Sequence, residues 1–169
     1  DNMNCISILV ENYKGSYDAI SHLISKGHKK IGIITGLSGL TTTKERLKGY
    51  KKALEDNNIN IDNKFIKKGD SRYKTGYKLA KELISSTNIT ALYVANNLMC
   101  VGAMEYLNKE KISIPEEVAV IGFDDYKWAS ITNPPLSVIR QPVKKIGINL
   151  AKELLTQLNN KDNNEDISK

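Results

Sequence analysis

The side chains best able to do chemistry are thinly spread along the chain: Arg46, the adjacent Asp124 and Asp125, Asn96, Thr42, Ser71, Tyr73 and Gln141, with His22, His28, Cys5 and Cys100 besides. Catalysis finds no template among them. No Gly-x-Ser-x-Gly elbow exists, although Gly36-Leu37-Ser38-Gly39 superficially resembles one, and neither Gly-x-Gly-x-x-Gly nor the Gly-x-x-x-x-Gly-Lys-Ser/Thr phosphate loop is present. Neighbouring residues after a strand point in different directions, so Asp124 and Asp125 read as a ligand-contacting carboxylate beside a turn-forming one. His22 falls in an expected helix and His28 in a turn, with no nucleophile or metal-ligand set nearby in sequence, so no metal or cofactor is expected. What these residue types offer is binding. A carboxylate, an amide and a guanidinium around one cleft each engage two hydroxyls of a polyhydroxy ligand, and Arg keeps its charge throughout.

The elements that must position them alternate short β-branched runs with amphipathic stretches. Ile6–Val10 reads as a strand, and Ile20, Leu23 and Ile24 mark one face of a helix that Gly27 ends. Ile31–Thr35 is a buried strand. The helix after it carries Leu47, Tyr50 and Leu54 on one side, with Thr42 and Glu45 at capping-box spacing. The unit repeats with a weak strand at Phe65–Lys67, a helix through Tyr77, Ala80, Leu83 and Ile84, a strand at 91–95, a helix from Asn96-Asn97 to about Glu110, and a strand at 118–122. This alternation predicts an α/β fold with a doubly wound parallel sheet. Asn133-Pro134-Pro135 interrupts it, because proline fixes φ and donates no hydrogen bond, and reads as a crossover followed by a strand at Leu136–Arg140. Ile146, Leu150, Leu154, Leu155 and Leu158 then give a last amphipathic helix, and the polar tail from Asn159 to Lys169 is expected to be disordered. In open parallel sheets ligands bind beyond the carboxyl ends of the strands. That rule selects Glu11-Asn12, Gly36–Thr43, Gly69–Arg72, Asn96-Asn97 and Phe123–Lys127 as the loops where a site belongs.

Composition sets bounds. The chain has 169 residues, 40 % of them hydrophobic, enough for one core. No apolar run approaches the roughly 18–20 residues of a membrane span, and Asp1-Asn2-Met3-Asn4 does not resemble a secretion signal. The net charge of +6 invites a nucleic-acid partner, but the lysines at 29–30, 51–52, 67–68 and 144–145 read as isolated pairs and no arginine–aromatic cluster accompanies them. Cys5 and Cys100 lack metal-ligand spacing and read as free, buried thiols of a reducing compartment, a disulfide being the minority reading.

A family resemblance connects these observations. Leu23-Ile24-Ser25-Lys26-Gly27-His28-Lys29-Lys30-Ile31-Gly32-Ile33-Ile34-Thr35-Gly36 resembles the "Leu-Ile-x-x-Gly-His-x-x-Ile-x-x-Ile-x-Gly" signature of lactose-repressor (LacI/GalR) regulators. Arg46-Leu47-Lys48-Gly49-Tyr50 is similar to that family's "Arg-x-x-Gly-aromatic" helix, and Val94–Met99 with Gly102-Ala103 to its next segment. Val120–Asp125 is similar to its "Ile-Gly-Phe/Tyr-Asp" strand end, and Pro134–Pro142 to its crossover. The resemblance implies a periplasmic-binding-protein-like, two-lobed effector-binding domain. Residues 1–135 would be mainly its C-terminal lobe, 136–160 a crossover strand and helix of the N-terminal lobe, and 161–169 a polar tail. An N-terminal DNA-binding domain would precede Asp1. It further implies a cytoplasmic repressor that is not an enzyme and needs no cofactor. Its partners would be a small-molecule effector, a sugar or derivative, and operator DNA, with no membrane.

Carried over residue by residue, the resemblance places effector contacts at Arg46 and Asp124 first. Asn96, Thr42, Gln141, Ser71 and Tyr73 follow; Ser71 stands where many members have a stacking aromatic, which Tyr73 would replace from two residues away. Asn97 replaces the family's usual Asp and, since either residue caps a helix, reads as a structural cap; Glu11 stands where an Asp is common. The helix from Leu98 to Glu110 is apolar nearly all round, and the resemblance implies a homodimer interface through Leu98, Met99, Val101, Tyr106 and Trp128. A secreted sugar-binding protein of a transporter shares the architecture and stays open as the alternative.

Overall fold

The structure, a computed structural model, describes residues 7–165, with side chains to residue 158. It divides into two compact units, Glu11–Arg140 and Asp1–Val10 with Gln141–Lys169. The first unit runs α1 (Asn12–Ser25), β1 (Ile31–Thr35), α2 (Thr41–Asp56), β2 (Ile66–Lys68), α3 (Tyr73–Ser86), β3 (Ala91–Val94), α4 (Asn97–Lys109), β4 (Ala119–Phe123) and β5 (Ser137–Ile139). Its five strands form one parallel sheet in the order β2-β1-β3-β4-β5.

Both faces of the sheet are buried, and the strand period of two sorts its side chains between them. Ile31, Ile33, Ala91, Tyr93, Ala95, Ala119, Ile121 and Phe123 join the core beneath α1 and α2. Ile34, Leu92, Val94 and Val120 join the core beneath α3 and α4. Each buried isoleucine or leucine contributes about 1.5–3 kcal/mol relative to exposure. Polar groups inside are matched: the Tyr50 hydroxyl donates to the Ile31 carbonyl at 2.8 Å, and the hydroxyls of Ser16 and Tyr93 share a hydrogen bond.

Two glycines govern the helix pair on the second face. A Cβ on Gly76 would collide with the Met99 backbone, and one on Gly102 with the Tyr73 carbonyl. Backbones of α3 and α4 therefore touch where any side chain would force them apart.

Several sequence expectations are corrected. Residues 7–10 are irregular and join no strand among the described residues, and Ile6 lies outside them. The residue entering α2 is Leu40, in extended conformation, so the helix begins without a side-chain cap and the Thr42–Glu45 capping box does not form. The strand after the prolines pairs with β4 (Ile121↔Ser137, Phe123↔Ile139), so it completes this sheet and does not belong to another lobe. The last helix, α5 (Val143–Glu165), continues through much of the polar stretch expected to be disordered, because that stretch up to Glu165 contains no proline or glycine to stop it; residues 166–169 lie outside the description. Within its own unit α5 leaves Ile148, Leu150, Leu154, Leu155 and Leu158 between 45 % and 59 % exposed.

Gly76→Ala should therefore destabilise the chain by about 1–3 kcal/mol through overpacking, each kcal/mol lowering Tm by about 2–4 °C for a domain of this size. Gly147→Ala, in α5 with open space around it, should leave the melt unchanged or raise it. Thermal melts of the two variants check this.

Candidate functional site

In this strand order the chain reverses direction across the sheet between β1 and β3, and the crevice beyond their carboxyl ends is where open α/β sheets hold ligands. Arg46 fills that crevice. It sits one turn into α2 and is only 9 % exposed. Its Nε donates to Asn12 Oδ1 at 2.8 Å, and Nη1 donates to the carbonyl of Ala95, just past β3, at 2.8 Å. Its guanidinium carbon lies 3.4 Å from the centre of the Phe123 ring at the end of β4, a stacked cation–π contact. Burial pulls the Arg46 pKa below its ordinary value, while Tyr93 and Asp124 oppose that shift. One side chain thus ties α1, α2, β3 and β4 together.

Asp124 follows Phe123 immediately. Its φ is +79°, a left-handed conformation that Asp tolerates better than most residues, and its N–H donates to the Ile139 carbonyl at 2.9 Å. The turn holds a half-buried carboxylate beside the arginine, close enough to stabilise its charge. The next residue is engaged elsewhere: Asp125 pairs with Arg140 at 2.6 Å.

The other expected contacts separate into groups. Asn96 lies beside Ala95 at the crevice, but its side-chain oxygen caps α4 by accepting from Met99 N–H at 3.1 Å, which leaves its NH₂ as the group able to meet a ligand. Asn97, expected to cap, instead accepts from Trp128 Nε1 at 3.0 Å. Ser71 has φ of +65° and its hydroxyl accepts from Leu37 N–H at 3.1 Å, fastening the loop after β2 to the loop after β1. Thr42 is exposed on the first turn of α2, and Tyr73 opens α3 at 38 % exposure. Gln141 belongs to the other unit, where its carbonyl accepts from Val143 N–H at 2.9 Å.

Sequence reasoning missed Asn12 and Phe123 as site residues. The rule about strand ends pointed at both loops, but nothing in the sequence says that a guanidinium 34 residues away takes its orientation from Asn12. Among the described residues no group of His, Cys, Asp and Glu could hold a metal ion. His28 Nδ1 is bonded to Thr90 Oγ1 at 3.0 Å. Burial pushes the Cys100 thiol up to about 12, so it stays protonated at neutral pH, and Cys5 lies outside the described residues.

The helix expected to face a second copy divides as well. Met99 (0 % exposed) and Tyr106 (6 %) point into the core and cannot meet a partner. Leu98 is 53 % exposed, and the half-buried Val101 and Trp128 line a groove with Ile112, Ile114 and Pro134.

Comparison with known proteins gives these groups a context. Residues 20–167 match the family model described as a periplasmic binding protein-like domain. The chain is 33 % identical over 162 residues to the HTH-type transcriptional repressor PurR of Haemophilus influenzae, covering 95 % of this chain and 48 % of that protein. It therefore spans about half the length of the curated relatives it matches. A sugar-binding transcriptional regulator of the LacI family from Escherichia coli, solved with phosphate, superposes with a TM-score of 0.78 at 35 % identity over 82 % of this chain and 50 % of its own. The transcriptional regulator CelR in complex with cellobiose superposes at 0.84 and 30 % identity, over 90 % of this chain and 47 % of its own.

Replacing Asn12 with Leu leaves the buried Arg46 Nε–H without its acceptor. The expected loss is about 1.5–3 kcal/mol of stability, the range for a hydrogen bond to a charged group. Urea unfolding of Asn12→Leu measures it, and Asn12→Asp, which keeps the acceptor, should recover most of the difference.

Proposed function

Since the chain belongs to the periplasmic binding protein-like domain family, in its LacI/GalR effector-binding branch, we propose that it is the ligand-sensing part of a bacterial transcription repressor that binds a sugar or related polyhydroxy molecule. The observation that carries the reading is Arg46. A guanidinium already desolvated, oriented by Asn12 and Ala95 and backed by Phe123, meets an incoming ligand with its remaining N–H groups preorganised. Asp124 accepts hydroxyl protons beside it, and the Asn96 amide donates. Arg gives and Asp receives, which is the pairing that vicinal hydroxyls require.

The regulator is favoured over a secreted transport receptor because the relatives are transcriptional repressors and LacI-family regulators. On this reading the effector binds one arrangement of two lobes better than the other, and that difference in affinity is what reaches the operator DNA. The part described as Glu11–Arg140 acts as the C-terminal lobe and α5 as part of the other. The outward side of α4, with Leu98, Val101 and Trp128, serves a homodimer. The protein acts in the cytoplasm and performs no catalysis.

Calorimetric titration with a panel of mono- and disaccharides, cellobiose included, tests the site. One member should bind saturably, and Asp124→Asn should weaken it about 10–100-fold, the equivalent of about 1.4–2.8 kcal/mol. Undiminished affinity in that variant would remove Asp124 from the site. Arg46→Ala is the poorer probe, because it also strips a donor from Asn12 and Ala95. The reading frame upstream of Asp1 should encode a helix-turn-helix; a cleavable signal peptide there would instead make the protein a transport receptor.

A further inference from the structure

The lysines that look scattered in sequence are gathered by α2. Lys44, Lys48, Lys51 and Lys52 stand on one face of that helix, at i, i+4, i+7 and i+8, along about 12 Å of its axis. They rim a surface groove of about 490 Å³ whose floor is formed by Tyr13 of α1 and Leu47 of α2. Like charges at these spacings repel and weaken a helix. Two lysines of this helix pair are compensated: Lys14 pairs with Asp18 at 2.7 Å, and Lys52, on the rim itself, with Asp56 at 2.6 Å. Lys44, Lys48 and Lys51 have no carboxylate partner among the described residues, and Lys48 leans instead over the Tyr13 ring at 5.6 Å. Three uncompensated cations around an apolar depression store a repulsion that an anion relieves.

We propose that this groove docks an acidic segment of a partner protein, with carboxylates on the lysine rim and an apolar side chain seated against Tyr13 and Leu47. A bound phosphate backbone fits less well. Leu47 on the floor offers a phosphate no donor, and Glu55 closes the end of the groove with a negative charge that repels one. The surface lies on α1 and α2, on the opposite face of the sheet from α4, so its occupant is additional to a second copy docked there. A repressor carrying such a surface responds to a protein as well as to a small molecule.

Fluorescence anisotropy of a labelled amphipathic Glu/Leu peptide, titrated with the full chain, tests the proposal. Saturable binding is expected, weakening as salt rises. The Lys44→Gln/Lys48→Gln/Lys51→Gln variant should lose about tenfold in affinity, while Lys29→Gln/Lys30→Gln, in the turn before β1, should bind like the parent. If the triple variant melts early, Lys48→Glu alone serves as the comparison. Absence of saturable binding, or equal losses in the groove and control variants, overturns the proposal. So does tighter binding of a short random-sequence DNA duplex through the same lysines, which would make the surface a nucleic-acid site.

Discussion

Burying a guanidinium is the constraint around which the carboxyl edge of this sheet is arranged. A charge taken out of water is tolerated only when its N–H groups find acceptors and its field finds an opposite charge or a polarisable face. Arg46 is given all of these by different elements: the Asn12 amide at the start of α1, the Ala95 carbonyl beyond β3, the Phe123 ring at the end of β4, and the Asp124 charge in the turn after it. Each requirement propagates. The helix α1 has to begin where Asn12 reaches the crevice. The two helices have to lie close, and Gly49, where a Cβ would strike the Tyr13 carbonyl, lets them. The chain has to leave β4 through a left-handed residue for the carboxylate to follow the aromatic ring directly.

The same arrangement gives function its economy. Asn12 Oδ1 and the Ala95 carbonyl fix the direction of the Arg46 guanidinium, so a ligand at this crevice would meet its other N–H groups already oriented. Preorganisation of that kind reduces the ordering cost of binding. The loop carrying Ser71 is likewise fixed, by a hydroxyl bonded to Leu37 N–H and by a left-handed backbone at the same residue. Two non-glycine residues in left-handed conformation therefore flank the crevice, at the ends of β2 and β4.

Much of this was legible in the sequence. Alternation of β-branched runs with amphipathic stretches reported the parallel sheet, because strands buried on both faces need apolar residues at nearly every position. The motifs around Gly27-His28, Arg46, Asn96 and Asp124 reported the family, and the rule about strand ends pointed to the carboxyl edge of the sheet, where the structure gathers Asn12, Arg46, Ala95 and Phe123. What stayed hidden depends on distances that no local pattern encodes. Asn12 and Arg46 are 34 residues apart, and Arg46 and Ala95 are 49 apart. Asn96 was read as a contact and Asn97 as a cap, whereas the structure gives the cap to Asn96; one residue of register decides which amide turns inward. A helix apolar on every side does not reveal which of its faces meets the sheet, so Met99 and Tyr106 were placed on the wrong one. Lys51-Lys52 looked like an isolated pair because helical spacing, and not sequence adjacency, brings Lys44 and Lys48 to the same face.

The most direct test of the central claim is to follow the side-chain ¹⁵Nε–H resonance of Arg46 while the chain is titrated with saccharides. If the effector is gripped at this crevice, the saccharide that binds should shift that resonance saturably, while slow exchange of the Nε proton persists because its bond to Asn12 is kept. A saccharide that binds saturably and leaves the Arg46 resonance where it was would place the site elsewhere and contradict the account.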